Sequence, residues 1–414
     1  TDIQKENKSG GKVPNNPKQI PNLRFPNFSE PWKSIRLADI CEINPKNESL
    51  PSSFIYIDLE SVANGQLLKE DFISKNEAPS RAQRVLSKND ILFQMVRPYQ
   101  KNNLFFDKEG KYVASTGYAQ LRTKQNSQFV FQYLHNQRFV DNVIERCTGT
   151  SYPAINSTDL GNIQIYYPCL EEQSEIAFFL SKIDERIQTQ SKILIHLKSL
   201  IESLNDSLSK QKIRINSNFE NWKKVRLGDL GYTFNGLSGK TKEDFGNGKR
   251  YIQYKQIFDS SKIVIENCGY VNVSENENQN SVKYGDIFFT ISSETPDEIG
   301  MSSVLLEDVK NVYLNSFCFG FRLNSFKELL PEFARFLFRS KVVRNEIKKL
   351  AQGSTRYNMS KTELLKLEIL LPSIKEQKEI SAFLSSLYQK SQTEKAILEQ
   401  LEMQKKYLLQ QMFV

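Results

Sequence analysis

The sequence has 414 residues, with 56 lysines and arginines against 48 aspartates and glutamates, giving a formal net charge of +8. This length accommodates two domains and a long helical element, and the modest positive charge suits a polyanionic partner such as nucleic acid. No apolar run approaches the ~20 residues of a membrane span, which disfavours a membrane protein. The five cysteines form no C-x-x-C pair, which disfavours a secreted protein stabilised by disulfides. We therefore expect a cytoplasmic protein.

An N-terminal arm covers residues 1–30, which are rich in Asn, Pro and Lys, and we expect it to be poorly ordered. Residues 31–168 then form a predicted mixed α+β domain. β-branched and aromatic residues predict strands at 54–59, 90–93 and 118–122, followed by a helix from 128 to 146 and a last strand at 162–167. Pro168 ends that strand and introduces a long helix at 169–212.

A second domain, 213–372, repeats this order before a second long helix at 373–414. Its predicted strands are 250–257, 286–291, 317–322 and 366–371, with a helix at 327–350. Four motifs recur in the same order in the two copies: WKSIRLADI (32–40) and WKKVRLGDL (222–230), KNDILF (88–93) and YGDIFF (284–289), GTSY (149–152) and GSTR (353–356), PCLEEQ (168–173) and PSIKEQ (372–377). A tandem duplication of this length predicts two copies of one domain-plus-helix unit, related by pseudo-twofold symmetry. The end of the arm, 22–28, is partly echoed by 216–219.

The two long helices carry a heptad pattern. Mostly apolar positions recur in steps of four and three at Ile176, Leu180, Ile183, Ile187, Gln190, Leu194, Leu197, Ile201, Leu204 and Leu208, and again at Ile380, Leu384, Leu387, Ser391, Glu394, Leu398, Leu401, Lys405, Leu408 and Met412. The period of 3.5 residues is typical of a coiled coil, and pairing within one chain is most simply antiparallel. An ordinary amphipathic helix packed on a globular core is the alternative. The polar positions Ser391, Glu394 and Lys405 are expected to fix the register of the helices or to mark a partner contact.

Catalytic constellations are missing from the sequence. It has no G-x-x-x-x-G-K-[ST] phosphate loop, and Asn44-Pro45-Lys46 lacks the second proline and the aromatic of an adenine methyltransferase loop. The two histidines, His135 and His196, fall in predicted helices, where a structural role is more common than metal binding. Glu376 and Lys378 have a nuclease-like spacing, but at a helix start Glu376 is better explained by the helix dipole. We therefore predict neither a metal site nor a catalytic residue.

The ordered set of motifs, present twice, resembles the specificity subunit of type I restriction-modification systems. The resemblance covers nearly the whole chain from about residue 22. Asn89 replaces a glycine that is usual in the family, and Tyr167 and Leu371 each replace the first of two prolines. These departures leave the architecture unchanged.

The resemblance implies that each globular domain is a target recognition domain for one half of a bipartite, asymmetric DNA sequence. It implies that the helices set the spacer and dock two methyltransferase subunits, which use S-adenosylmethionine to methylate adenine. Restriction subunits that use ATP and Mg would join this complex. The chain itself would hold no cofactor and would not be an enzyme.

Polar and cationic side chains that follow a strand or adjoin a glycine loop are the candidates for DNA contact, because base edges need donors and acceptors and phosphates need cations. The candidates in the first copy are Arg81, Arg84, Gln94, Arg97, Tyr99, Gln100, Lys101, Thr150, Ser151 and Tyr152. Those in the second copy are Gln253, Tyr254, Lys255, Thr290, Ser292, Ser293, Thr295, Ser354, Thr355, Arg356 and Tyr357. A plain structural turn is the alternative for the glycine loops.

Two other functions compete with this interpretation. One is a stand-alone two-domain DNA-binding adaptor or repressor without enzyme partners, which differs in what co-purifies with the chain. The other is a fragment of a single-chain restriction-methylation enzyme, which the early start of the first repeat disfavours.

Overall fold

The computed structural model describes residues 19–47, 49–215, 220–353 and 356–414. The chain forms two compact units, the first built from residues up to Ser191 together with Ala396–Val414, and the second from Lys192–Lys395. Within the described residues, no helix is long and apolar enough to cross a membrane. All five cysteines are free thiols.

The globular part of the first unit contains two four-stranded sheets, with strand orders β6-β3-β10-β7 and β2-β11-β8-β9, beside a β1-β12 pair. Helices α2 and α3 cover the second sheet and bury Trp32, Phe93 and Phe129 with it in one core. The bounds are β1 Lys33–Arg36, α1 Leu37–Ile40, β2 Cys41–Ile43, β3 Ser53–Ile57, β4 Val62–Ala63, β5 Gln66–Leu67, β6 Phe72–Ser74, β7 Ala82–Val85, β8 Asp90–Gln94, β9 Leu104–Phe106, β10 Tyr112–Ser115, β11 Tyr118–Thr123, α2 Ser127–Tyr133, α3 Gln137–Glu145, α4 Ser157–Gly161, β12 Gln164–Tyr167 and α5 Leu170–Ser209.

The second unit repeats this plan. Its sheets have strand orders β14-β21-β17-β19, β16-β15-β20 and β18-β23-β22, beside a β13-β24 pair. The bounds are β13 Lys223–Arg226, α6 Leu227–Leu230, β14 Gly231–Asn235, β15 Phe245–Ile252, α7 Tyr254–Asp259, β16 Gly269–Val271, β17 Ile287–Thr290, β18 Ser292–Ser293, β19 Ser302–Val304, β20 Tyr313–Leu314, β21 Cys318–Leu323, α8 Pro331–Leu337, α9 Lys341–Lys348, β22 Ala351–Gln352, β23 Tyr357–Met359, α10 Lys361–Lys366, β24 Glu368–Leu371 and α11 Ile374–Met412.

An ion pair between a buried aspartate and an arginine recurs at the central sheet of each copy. The Asp90 carboxylate accepts hydrogen bonds from the Arg122 guanidinium at 2.8 Å, and Asp286 accepts from Arg322 at 2.7 and 2.8 Å. Burial raises the pKa of Asp286, and the Arg322 guanidinium opposes that rise. The aspartate of the repeated Asp-Ile motif therefore ties two neighbouring strands together.

The two long helices pack closely in both units, as the heptad pattern predicts. In the first unit Ile176 and Leu180 of α5 share a core with Leu408 and Met412 of α11. In the second unit the end of α5 packs against the start of α11, with Leu208 beside Ile380 and Leu384. The start of one helix therefore lies beside the end of the other, which is antiparallel pairing. Every heptad position named above is buried or partly buried.

A repeated clasp fixes the start of each long helix. The Glu172 carboxylate accepts hydrogen bonds from the Arg24 guanidinium at 2.7 and 2.8 Å and from Nε1 of Trp32 at 3.3 Å. Glu376 accepts from Arg214 at 3.2 and 2.9 Å and from Trp222 at 3.2 Å. The helix dipole alone was an incomplete explanation of Glu376, because the carboxylate has fixed charged partners.

The glutamine that follows each of these glutamates bridges two elements. Nε2 of Gln173 donates to the Pro168 carbonyl, while its Oε1 accepts from the Asn126 amide just before α2. Gln377 makes the same bonds to Pro372 and to the Leu330 amide just before α8. The Glu-Gln motif therefore joins each long helix to the module that precedes it.

Some predicted elements differ from the structure. The predicted helices 128–146 and 327–350 are each two helices, because Asn136 and Ser340 accept hydrogen bonds from backbone amides and start a new helix there. The predicted strand 250–257 is wrong beyond Ile252, where α7 begins.

The predicted arm contains folded residues, because Arg24 is held by the clasp. Arg214 follows Arg24 by the same 190 residues that separate the two tryptophans (24 to 214, 32 to 222), so these two arginines are the equivalent positions. Residues 1–18, and the proposed echo at 216–219, lie outside the described residues. The domain boundaries given above remain a prediction.

Candidate nucleic-acid interface

Two loops that are distant in the first copy's sequence lie side by side in the structure. We call them the first strip, residues 95–101 and 147–154. Val96 and Thr148 both form β-bridges with Ala154, and the Arg97 amide donates to the Pro153 carbonyl at 2.7 Å. The strip therefore combines the loop after β8 with the glycine loop, both of which were predicted to contact DNA.

Arg97 is held in an unusual conformation in this strip. Its backbone is left-handed, with φ of 54°, and its guanidinium carbon lies 4.2 Å from the centre of the exposed Tyr152 ring. Such a cation–π contact contributes roughly 0.5–1 kcal/mol at an exposed site and limits the rotamers of the arginine. The geometry preorganises a planar set of donors at the surface, which suits a guanine edge or a phosphate.

The neighbouring polar residues divide into supporting and exposed side chains. Gln94 is buried; its Nε2 donates to Oε1 of Gln100 at 2.9 Å and its Oε1 accepts from the Asn102 amide at 3.1 Å. Its amide is thus engaged in shaping the loop. Tyr99 and Gln100 are exposed, as are Thr150 and Ser151 in the other loop.

Lys101 is directed into the protein. Its Nζ donates to the His135 carbonyl at 3.2 Å and to Oε1 of Gln137 at 2.9 Å, and burial lowers its pKa. Lys101 therefore braces the strip against the turn between α2 and α3 in this structure.

Arg84 lies on β7 and Arg81 directly precedes that strand, near the first strip. The Arg81 carbonyl accepts a hydrogen bond from the Thr116 amide at 2.9 Å. Gly117, which follows Thr116, accepts one through its carbonyl from the amide of Met95 in the first strip, also at 2.9 Å. The Arg81 side chain is exposed, whereas Arg84 is partly buried and its pKa is lowered by that burial. Arg81 is the better placed of the two for an external ligand.

The second copy builds the equivalent second strip, residues 291–295 with 351–353 and 356–359. Here β18 pairs with β23, matching Ser292 with Asn358 and Ser293 with Tyr357, and β22 completes a small sheet. Arg356 is exposed and Tyr357 partly buried. The predicted Ser354 and Thr355 lie outside the described residues.

Three hydroxyl residues on or next to the second strip differ in their roles. The buried Thr290 accepts the Met301 amide on its Oγ1 at 3.0 Å, and the buried Ser293 donates to Oε2 of Glu298 at 3.0 Å. Thr295 is exposed. Thr290 and Ser293 therefore shape the loop, while Thr295 is accessible.

The candidates at the start of α7 join the same strip. The Tyr254 hydroxyl donates to the Ser292 carbonyl at 2.9 Å, and burial raises its pKa. Gln253 is exposed, and the exposed Lys255 forms an ion pair with Asp259 at 2.8 Å. All of the described second-copy candidates thus lie on or next to one strip.

Both strips need their glycines for a steric reason. Gly149 has φ of 89° and Gly353 has φ of 121°. A Cβ at Gly353 would lie 2.3 Å from the Arg356 carbonyl oxygen, and one at Gly149 would lie 3.2 Å from that of Tyr152. The geometry of each turn is therefore sufficient to explain its glycine.

Two aromatic residues that were not predicted to contact DNA, Phe258 and Phe317, adjoin the second strip. The Tyr254 and Phe258 rings are stacked with centres 6.2 Å apart, and Phe317 is exposed beside them. The sequence gives no sign that Phe317 is exposed, because a phenylalanine at the start of a predicted strand has the residue type of a core position. Across the described ranges, no group of three or more His, Cys, Asp and Glu side chains is arranged to hold a metal ion.

Comparison with known proteins gives a consistent picture. Residues 29–199 and 219–403 match the family described as type I restriction modification DNA specificity domain. The type I restriction enzyme MjaVIII specificity subunit of Methanocaldococcus jannaschii is 23% identical over 415 residues, which cover 95% of this chain and 93% of that protein. The HindI specificity subunit of Haemophilus influenzae is 23% identical over 182 residues, which cover 42% of this chain and 39% of that protein.

Two solved structures share the fold. A type I restriction-modification S subunit from M. genitalium has a TM-score of 0.59 at 16% identity, covering 95% of this chain and 99% of that one. A chain from a structure of the assembly and conformational transition of the type I R-M system has a TM-score of 0.56 at 21% identity, covering 91% and 96%.

Proposed function

Because the chain belongs to the type I restriction-modification DNA specificity family, we propose that it reads a bipartite, asymmetric DNA target, one half-site with each module. The observation that carries this proposal is the strip. In each copy the loop after the central strand and the glycine loop, about 55–65 residues apart in sequence, are joined by β-bridges or strand pairing. The same surface is therefore built twice, with different exposed side chains.

The first strip supplies the chemistry of base reading and phosphate binding. Arg97 presents a fixed fork of donors, Tyr99 and Tyr152 present exposed rings, and Thr150 and Ser151 present hydroxyls. A bidentate arginine–guanine contact discriminates against the wrong base by ~1–3 kcal/mol. We expect Arg97 to carry most of the discrimination within this strip.

The second strip carries acidic side chains as well as Arg356. Glu294 and Glu298 adjoin Ser292 and Phe317 there. Carboxylates repel phosphates but accept hydrogen bonds from base amino groups, so this strip favours base contacts over backbone contacts. Two strips with different chemistry would read two different half-sites, which makes the target asymmetric.

The chain would act without catalysing a reaction itself. In this proposal two methyltransferase subunits bring S-adenosylmethionine, and restriction subunits bring ATP and Mg. The paired helices α5 and α11 set the length of the unread spacer and dock the methyltransferase subunits. The chain directs these partners to the DNA that its modules have bound.

The proposal is tested by reconstitution. The purified chain is assayed for methyl transfer, DNA cleavage and ATP hydrolysis, alone and with the methyltransferase subunit encoded beside it. We expect no activity from the chain alone and adenine methylation at a single two-part sequence with its partner. Methylation by the isolated chain would contradict the proposal. Specific binding of a target without any partner that methylates it would instead favour a stand-alone repressor.

A further inference from the structure

An aromatic pocket of about 370 Å³ opens on the second strip. Its walls include the stacked rings of Tyr254 and Phe258, and the exposed ring of Phe317. Polar groups of Glu294 and Arg356 also line the opening. Flat apolar walls with both acceptor and donor groups at the rim suit a planar heterocycle.

Phe317 is exposed but firmly anchored. Its side chain is 59% exposed, which is unusual for a phenylalanine that directly precedes a strand whose first four residues are buried. Its backbone amide donates to Oδ1 of Asn315 at 2.8 Å, and its carbonyl accepts from the Ile291 amide at 3.0 Å. Because the backbone is held on both sides, the ring is presented to solvent without the freedom of a mobile loop.

The first module fills the corresponding place differently. The segment YIQYKQIF, ending at Phe258, aligns with YIDLESVA, ending at Ala63, so Leu59 stands at the position of Tyr254. Gly117, directly before β11, stands at the position of Phe317, directly before β21. Leu59 atoms lie 3.1–3.4 Å from where a Cβ of Gly117 would be. Leucine packed on glycine thus replaces the three aromatic rings.

We propose that this pocket of the second module holds one unstacked base of the DNA, sandwiched against Phe317 and hydrogen-bonded at its edge. Glu294 favours a base that carries an amino group, and its charge disfavours a phosphate in the same place. Stacking of a base on an aromatic side chain is worth about 5–150-fold in affinity, converted from ~1–3 kcal/mol. This inference rests on the proposed function, because it requires that the second module bind DNA.

The test uses the full chain with its methyltransferase subunit and the DNA sequence that the complex methylates. Each nucleotide of the second half-site is replaced in turn by an abasic nucleotide, and affinity is measured for the wild type and for Phe317→Ala. We expect Phe317→Ala to bind the intact site about 5–150-fold more weakly. At one position the abasic substitution should weaken wild-type binding without weakening the variant further.

Two further variants separate stacking from folding. Phe317→Tyr keeps a flat ring and should retain wild-type affinity. Tyr270→Ala removes another exposed aromatic side chain of the same module, 46% exposed on β16, and should leave affinity unchanged. Methyltransferases extrude the base that they modify, so the methylated adenine is excluded from the scan.

The outcomes distinguish the two proposals. If Phe317→Ala and every abasic substitution act additively, or if Phe317→Ala binds like the wild type, the base pocket is disproved while DNA reading by the second module stands. If the wild-type complex does not discriminate sequence in the second half-site, the proposed function itself fails.

Discussion

Nζ of Lys405 lies 2.5 Å from Oδ1 of Asp184, and this ion pair joins α11 to α5 in the first unit. The side chains are only 18% and 22% exposed, and Asp184 also accepts a hydrogen bond from Nε2 of Gln132 at 2.6 Å. The equivalent heptad position in α5 is the buried, apolar Ile201. Of the polar positions predicted to fix register, Lys405 therefore has a specific partner on the opposite helix.

We predict that this pair is coupled in stability. Lys405→Ala and Asp184→Ala should each destabilise the first unit, and a double-mutant cycle should give a coupling energy of ~0.5–3 kcal/mol. Unfolding by urea, followed by the fluorescence of Trp32 in a Trp222→Phe background, isolates this unit because the chain has only two tryptophans. Purely additive effects would show that the pair does not fix the helices.

A second prediction concerns the pKa of His135, which burial lowers to about 4, with Lys405 adding to the decrease. Replacing Lys405 with isoleucine should therefore raise the pKa of His135. The chain has only two histidines, so ring resonances in NMR titrations can be assigned with a His196→Gln variant. An unchanged His135 titration would show that the Lys405 charge does not reach the ring.

The same histidine should make stability depend on pH. A folded-state pKa near 4 lies below the unfolded value of about 6.5, so the unfolded chain takes up the proton first. The contribution of His135 to the free energy of unfolding is therefore fully present above about pH 6.5 and is lost as the pH falls toward 4, a loss of at most ~3 kcal/mol. His135→Gln should flatten this part of the stability–pH curve measured by urea unfolding, whereas the control His196→Gln should leave its slope intact.

A third prediction concerns a cavity in the second unit. In the first unit the Phe413 ring packs against Phe129 and Tyr133, each with ring centres 5.4 Å apart. The equivalent residue at the end of α5 is Ser209, which lines a cavity of about 480 Å³ beside Trp222. Because buried aromatic surface is stabilising, Ser209→Phe should stabilise the second unit by ~1–2 kcal/mol.

The reverse substitution at Phe413 tests whether Ser209 and Phe413 occupy equivalent positions. Phe413→Ser should destabilise the first unit by ~3–5 kcal/mol, because it empties an aromatic cluster. Thermal unfolding with Trp222 as the only tryptophan, in a Trp32→Phe background, follows the second unit. A Ser209→Phe protein that is less stable than its parent would mean that the ring does not fit and overpacks the site.

A fourth prediction concerns the first strip. Arg97→Ala should relax one base of one half-site by ~1–3 kcal/mol and leave the other half-site unchanged. Arg97→Lys should not restore the preference, because an ammonium cannot form the bidentate contact. Methylome sequencing of cells carrying each variant with the methyltransferase subunit measures this directly. A uniform loss of affinity with a smaller salt dependence would instead assign Arg97 to a phosphate.

Tyr152 supplies the control for that assignment. Tyr152→Ala removes the ring beneath Arg97 and should weaken the same base preference by ~0.5–1 kcal/mol, whereas Tyr152→Phe should keep it. If Tyr152→Ala changes a base different from the one that Arg97→Ala changes, the stacked pair does not act as one reader.

A fifth prediction concerns the helices as a ruler. One heptad inserted after Lys192 and another after Ala396 each lie one residue from the division between the two units, so the contacts within each unit are nearly all kept. Seven residues restore the coiled-coil phase and add ~10 Å, which corresponds to about three base pairs at most. We expect a methylated sequence with unchanged half-sites and a spacer one to roughly three base pairs longer. An unchanged spacer would show that these helices do not set it.

The sequence by itself determined the architecture, because a repeat and a heptad period are local patterns that survive without knowledge of contacts. The order of motifs defined two copies, and every position that the alternation of four and three named in α5 and α11 is buried or partly buried. The breaks between consecutive helices were harder to predict. Asn136 and Ser340 are the N-caps of α3 and α9. A polar residue within an apolar pattern does not by itself show whether it caps a helix or faces solvent.

Only the tertiary structure decided which predicted site residues are accessible. Gln94, Thr290 and Ser293 have the residue types of DNA-contacting positions, yet they are buried and bonded to their own loops. Phe317 has the residue type of a core position, yet it is exposed. Side-chain chemistry is encoded locally, whereas exposure depends on what packs against a residue from distant parts of the chain. The strips, the clasp at Glu172 and the aromatic pocket therefore became visible only when the folded chain brought their parts together.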